Sequence, residues 1–230
     1  MSFRTSKNTS RAASAKARSE SVDPRQALIR EALRLHQRYQ RELVERFSIC
    51  PWAKSARADG RVHAHVVTNA RCRADSVGPV VTTWAADESI DVAFVIMPLF
   101  DEGRDALSEL ATAVGDRSEG VFLTAPFHPI STPGVGIVSF LRQTPDPTVQ
   151  LVRRTTLEAI RAQDPPHYKD IFDINLRELE ATKAPRTTAA SVFAHNERML
   201  EREGRSKVQA IVDDIRADRE RSYRPLIPRL

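Results

Sequence analysis

The sequence predicts an α/β (or α+β) protein: a single small sheet of about four strands flanked by helices, with a helical C-terminal extension. Three observations lead there. Apolar residues recur every three or four positions between Leu28 and Phe47, the spacing of an amphipathic helix. Four short runs rich in Val and other apolar residues, at 61–68, 92–97, 121–127 and 148–153, have the length and composition of strands. Beyond 153 the spacing turns helical again and stays so to about 222.

Asp23 followed by Pro24 forms a helix start, because Asp caps the first free amides and Pro tolerates the first turn. The helix that follows should run about six turns to Phe47. Pro51 disfavours helical backbone at Cys50 and is itself at home as the first residue of a new helix. A short helix from Pro51 to Ala58 would then place Cys50 at its N-cap. Arg61 to Thr68 alternates and reads as a strand. Ala74 to Ala86 has Val77, Val80, Val81 and Trp84 on one helical face. Val92 to Met97 is continuously apolar, as strands covered on both faces are. A helix from Asp101 should end at Gly115, with strands at Val121 to Phe127 and Thr148 to Arg153 after it. Helices follow at about 154–163 and 167–182, split by Pro165-Pro166. A last helical stretch starts near Thr187 or Thr188 and passes Gly204, as one kinked helix or two. The expected organisation is a basic tail over 1–22, a core over 23–184, a helical extension over 185–222 and a tail over 223–230.

Charge and composition exclude several classes. The 230 residues carry a formal charge of +5, with 41% hydrophobic residues and only two cysteines. Residues 1–20 hold five basic side chains against one acidic, so most of the excess sits in the tail and the rest is balanced. That distribution argues against a nucleic-acid binder, despite a pI near 9.5. No apolar run approaches the roughly 20 residues of a membrane helix. Two cysteines and no secretory core point to the cytoplasm, with an organellar transit peptide as the alternative reading of the Ser/Ala/Arg-rich start.

Chemistry concentrates at a few positions. At a helix N-cap, Cys50 would be a candidate nucleophile or redox thiol, because free amides and the helix dipole favour a thiolate; the plainer alternative is a buried small hydrophobe. His128, in Phe127-His128-Pro129, follows the third strand and suits general acid/base work. The stretch 131–147 carries almost no secondary-structure signal. Its Gly134-Val135-Gly136 matches part of a dinucleotide fingerprint, but the third Gly position is Ser139 and no helix is expected there, which excludes that reading. Flexible backbone amides with Thr144 and Arg142 could instead cradle a carboxylate or phosphate, with Arg153 as a second donor. Asn175, among Ile171, Phe172, Ile174 and Leu179, needs a hydrogen-bond partner, either backbone or ligand. His63 and His65 share a strand face and are weak metal candidates, since no third ligand has a characteristic spacing.

Phe47-Ser48-Ile49-Cys50-Pro51-Trp52-Ala53 resembles the Leu-Asn-Leu-Cys-Pro-Phe-Ala signature of an uncharacterised bacterial and plastid domain-of-unknown-function family. Phe127-His128-Pro129 is similar to its second signature. Thr144 to Arg153 is similar to its Ser-Pro-Tyr-Pro-Thr-Leu-His-Leu-Leu-Arg segment, and Asp173-Ile174-Asn175 through Leu179 to its closing stretch. The similarity spans about 36–183. Asp146 and Gln150 stand where the family pattern has Tyr and His, and the Arg before Ser-Pro falls on Gln143, beside Arg142. The loop after Pro129 also looks shorter. The resemblance implies that Cys50, His128, Pro147 and Arg153 share one site, and it names no reaction.

The function expected from these residues is a small-molecule enzyme (a transferase, hydrolase or redox enzyme) acting on an anionic substrate, with Cys50 and His128 catalytic and Arg142, Arg153, Thr144 and Asn175 binding. No cofactor is indicated. A non-catalytic ligand-, metal- or haem-binding module is the alternative. A third reading is an interaction protein that uses its basic tail and C-terminal helix, the latter also a possible homodimer contact.

Overall fold

The computed structural model describes residues 23–50, 52–130, 136–162 and 188–229. The tail 1–22, the helix expected at 167–182 and Asn175 lie outside them. Four strands form one open mixed sheet: β1 (Val62–Val66), β2 (Val92–Ile96), β3 (Phe122–Phe127) and β4 (Thr148–Arg153), in the order β1-β2-β4-β3. β1 and β2 are parallel, while β4 runs antiparallel to both β2 and β3. The fold is α/β, a small sheet flanked by helices on both faces.

Side chains alternate across a strand, so each strand feeds two cores. Ala93, Val95, Val149, Leu151 and Phe122 pack under α3 (Ala74–Ala86) and α4 (Gly103–Arg117). Gly115 allows the close approach of α4: a Cβ there would meet Thr124 Oγ1 at 3.1 Å. That is why α4 runs through Gly115 to Arg117 rather than ending at it. The opposite face, with Phe94, Ile96 and Val66, is covered by α1 (Pro24–Tyr39) and by α7 (Thr188–Glu203) and α8 (Arg205–Tyr223). α1 buries Leu28, Ala32, Leu35 and Tyr39 at its three- and four-residue spacing, and Asp23 caps it by accepting the Arg25 amide at 3.0 Å.

The C-terminal helices belong to this second core. Val208, Val212, Ile215 and Tyr223 of α8 are buried against α1, and Asp218 pairs with Arg34 at 2.8 Å and Arg38 at 2.6 Å. The buried apolar residues of α8 thus pack within the chain. Asp146, just before β4, accepts from Arg219 at 2.6 Å and from the Tyr223 hydroxyl at 2.7 Å, tying α8 to the sheet. The helical stretch breaks at Gly204, whose φ of +84° suits glycine and strains other residues. The expected tail at 223–230 is short: α8 reaches Tyr223 and a 3₁₀ turn covers Ile227–Arg229.

Three further elements differ from expectation. The first helix is α-helical only to Tyr39; Gln40–Glu45 is a π-helical turn, continued by the Ile49 amide donating to Val44 O at 2.9 Å. The wider turn lets the adjacent Leu43 and Val44 both be buried. The next helix, α2 (Ala53–Ala58), starts at Ala53 with Trp52 at its N-cap. A short helix, α5 (Ile137–Leu141), stands in the stretch expected to be irregular, held by buried Ile137 and Leu141. α6 (Arg154–Ala162) follows β4 directly. No helix among the described residues is long and apolar enough to cross a membrane.

Candidate functional site

On the face covered by α1, α7 and α8, a cavity opens over the sheet from the start of β1 and β2 across to Phe127. Its floor is Val62, Val92, Phe94, Gln150, Val152 and Phe127, residues that the register places on one side. The π-helical turn, the segment around Cys50, α5 and the start of α7 wall off the space above. The result is a cavity of about 720 Å³, within the range of small-molecule sites. Two exposed apolar side chains, Val138 and Phe193, belong to the lining.

Most polar groups in the wall are already paired. Arg57 donates to Glu45 at 2.5 and 2.8 Å and keeps that carboxyl below its usual range. Arg61 pairs with Asp91, which also accepts the Thr156 hydroxyl at 2.6 Å. The Tyr39 hydroxyl donates to Leu141 O at 2.8 Å, and the Thr144 hydroxyl to Asp146 O at 2.7 Å. Thr144 is thus in the wall, with its proton committed to backbone.

Arg142 stands apart. It follows α5, its guanidinium lies 5.1 Å from the centre of the Phe127 ring, and burial lowers its basicity. Among the described residues no carboxylate pairs with it. A partly desolvated guanidinium without a counter-ion is costly, and a ligand anion would relieve that cost.

Cys50 lines the same cavity and is half-buried. It sits two residues before the N-cap of α2 instead of on it. Burial pushes its thiol up, against the opposing pull of the Trp52 and Ala53 amides. The thiolate expected from the N-cap position is therefore not favoured, because desolvation outweighs the short helix's free amides. The backbone just before it is unusual: Ser48 has a φ of +51°, a conformation that non-glycine residues rarely adopt.

The structure does not bring His128 to Cys50. His128 lies just past β3 and is not part of the cavity lining. Its Nδ1 accepts the Ile130 amide at 3.1 Å, and burial together with Arg104 of α4 lowers its basicity. Phe127, one residue earlier, is the side chain that enters the cavity.

Arg153 likewise lies outside the cavity lining. β4 points it to the α3/α4 face, where it is 92% buried, with 8% exposed. Its guanidinium donates to Ile90 O at 2.7 Å, Ala85 O at 3.3 Å, Trp84 O at 2.8 Å and Asp87 O at 2.6 Å. These carbonyls close the end of α3 and the turn after it, and they use the donors a ligand would need. His63 and His65 pair in register with Ala93 and Val95, which places them on that same face, away from Cys50. Among the described residues no three His, Cys, Asp or Glu side chains are grouped to hold a metal ion.

Among the lining residues that sequence reasoning missed are Tyr39, Gln150 and Asn196. Asn196 donates to Ile49 O at 3.4 Å, and its buried Oδ1 has no hydrogen-bond partner among the described residues. Gln150 had a signal in strand alternation, since a polar residue shares a face with Val152 in an otherwise apolar strand. Comparison with protein-family models, with curated proteins and with solved structures finds no match for this chain.

Proposed function

We propose that the chain binds a small amphiphilic carboxylate in this cavity, with Arg142 as the anchor for the anionic end and the floor around Val92, Phe94 and Val152 holding the apolar body. The observation that carries this reading is Arg142: a partly buried guanidinium in the cavity wall with no carboxylate partner among the described residues. A binding role is better supported than Cys/His catalysis. Burial favours the neutral thiol at Cys50, and the imidazole expected beside it is elsewhere.

Undecanoate is a suitable probe, and Cys50 supplies the readout, because Cys72 is 2% exposed and serves as the slow internal reference. Iodoacetamide should label Cys50 faster than Cys72, and undecanoate should suppress that labelling. Arg142→Met should weaken protection about tenfold or more, the scale of one charge-assisted hydrogen-bonded contact. Labelling indifferent to undecanoate, or protection unchanged in Arg142→Met, overturns the reading.

A further inference from the structure

β4 is a central strand, flanked by β2 and β3, and its residues at 148, 150 and 152 face the cavity side. Thr148 is buried there with its hydroxyl on Asp146 O at 2.8 Å, and Val152 is apolar. Between them stands Gln150, half-buried, opposite Phe94 on one neighbour and Ala125 on the other. Among the described residues its carboxamide has no hydrogen-bond partner. A Leu or Val would fill this place without the cost of desolvating an amide, so packing does not account for the residue.

Its surroundings do. Phe127 pairs with Thr148 while Ala125 pairs with Gln150, so Gln150 and Phe127 are diagonal neighbours on one face, about 7 Å apart and within reach of each other's side chains. Phe127 is the ring under the Arg142 guanidinium. Two uncommitted polar groups therefore flank one aromatic ring on an apolar floor. They differ in kind: Arg142 offers only donors, whereas a carboxamide presents donors and an acceptor side by side in one plane. The first suits a carboxylate. The second can donate to an acceptor or accept from a donor, and a trans ligand amide offers it either, a carbonyl on one edge or an N–H on the other.

We propose that Gln150 is the specificity-determining residue of the cavity and that it pairs with an amide adjacent to the carboxylate held by Arg142. The ligand class is then an N-acylated amino acid: an apolar acyl chain over Val92, Phe94 and Val152, an amide at Gln150 and a carboxylate at Arg142. This rests on the carboxylate-binding reading above.

The test compares N-octanoylglycine with undecanoate, which match in chain length and charge and differ in the amide, by calorimetric titration of the full chain. Desolvation alone favours undecanoate, so the expected preference is diagnostic: N-octanoylglycine should bind about three- to tenfold tighter, the worth of one net hydrogen bond. Gln150→Leu should abolish or invert that preference. Equal or tighter binding of undecanoate to the wild-type chain overturns the inference and leaves the carboxylate reading standing. A preference retained in Gln150→Leu does the same. If neither compound binds, or Arg142→Met leaves both affinities unchanged, the carboxylate reading falls and the inference with it. Should Gln150→Leu fail to fold, the wild-type comparison still decides.

Discussion

Arg153 spends its guanidinium on four carbonyls at the end of α3 and the turn beyond, and rests over the Phe122 ring at 4.9 Å. Arg142, on the loop before β4, has a ring beneath it and, among the described residues, no carbonyl or carboxylate hydrogen-bonded to its guanidinium. The two should respond to the same substitution in opposite ways. Arg153→Met strands those carbonyls in a buried turn and should cost about 2–4 kcal/mol of stability, measured by urea unfolding, while undecanoate binding to the folded fraction stays unchanged. Arg142→Met removes a desolvated charge and should leave stability unchanged or slightly raised while binding weakens. Sequence could not separate them. Each is an arginine beside a strand, and only the alternation of β4, together with the position of α3 on the far face, shows which donors are already spent.

At the scale of elements, most of what the chain builds was legible because single periodicities carried it. All four strands and the 74–86 helix stand where apolar spacing put them, β4 with the expected bounds and β1, β2 and β3 trimmed by one or two residues at an end. The π-helical turn was not legible, since Leu43, Val44 and Phe47 are compatible with a plain helix and only packing decides that both Leu43 and Val44 go inside. The same turn shapes the cavity by placing Gln40, Val44 and Glu45 in its wall. Cys50 illustrates a second limit: Pro51 correctly marked a helix break, but the new helix begins at Ala53, and that offset with burial reverses the expected effect on the thiol. Gly204 allows a direct check on the break between α7 and α8. A Cβ there meets nothing within 4 Å, so Gly204→Ala should cost only the backbone strain of its φ +84°, ψ +133° conformation, about 1–3 kcal/mol in thermal or urea unfolding. A much larger loss would mean that α7 and α8 reorient.

At the scale of the whole molecule, the acid side of the stability curve has two separable parts. His36, its ring tilted 59° against that of Phe94 at 4.5 Å and its Nδ1 without a hydrogen-bond partner among the described residues, is pushed down to about 4 by burial. The unfolded chain takes up that proton below about 6.5 and the native chain does not, so stability falls as pH drops from 6.5 towards 4. Asp218, hydrogen-bonded to Arg34 and Arg38 of α1, is held down to about 2 against an ordinary 3.8. Its contribution is complete above 3.8 and is lost as pH falls towards 2. His36→Leu should flatten the upper window and spare the lower, and Asp218→Asn should do the reverse, in urea titrations at a series of pH values. His65, His128 and His195, also lowered by burial, remain in His36→Leu, so its upper slope should shrink without vanishing.

The placement of β4 bears on how the polypeptide is made. Of the four described strands it is the last to leave the ribosome, yet it occupies an interior slot between β2 and β3. Until Arg153 has emerged, those two earlier strands have nothing to bond to along their facing edges, and open edges invite pairing with other nascent chains. Sheet closure must wait for late synthesis and for contacts between distant positions, which slows folding. Chaperone dependence should consequently peak in ribosome-bound lengths that include β3 but stop short of β4.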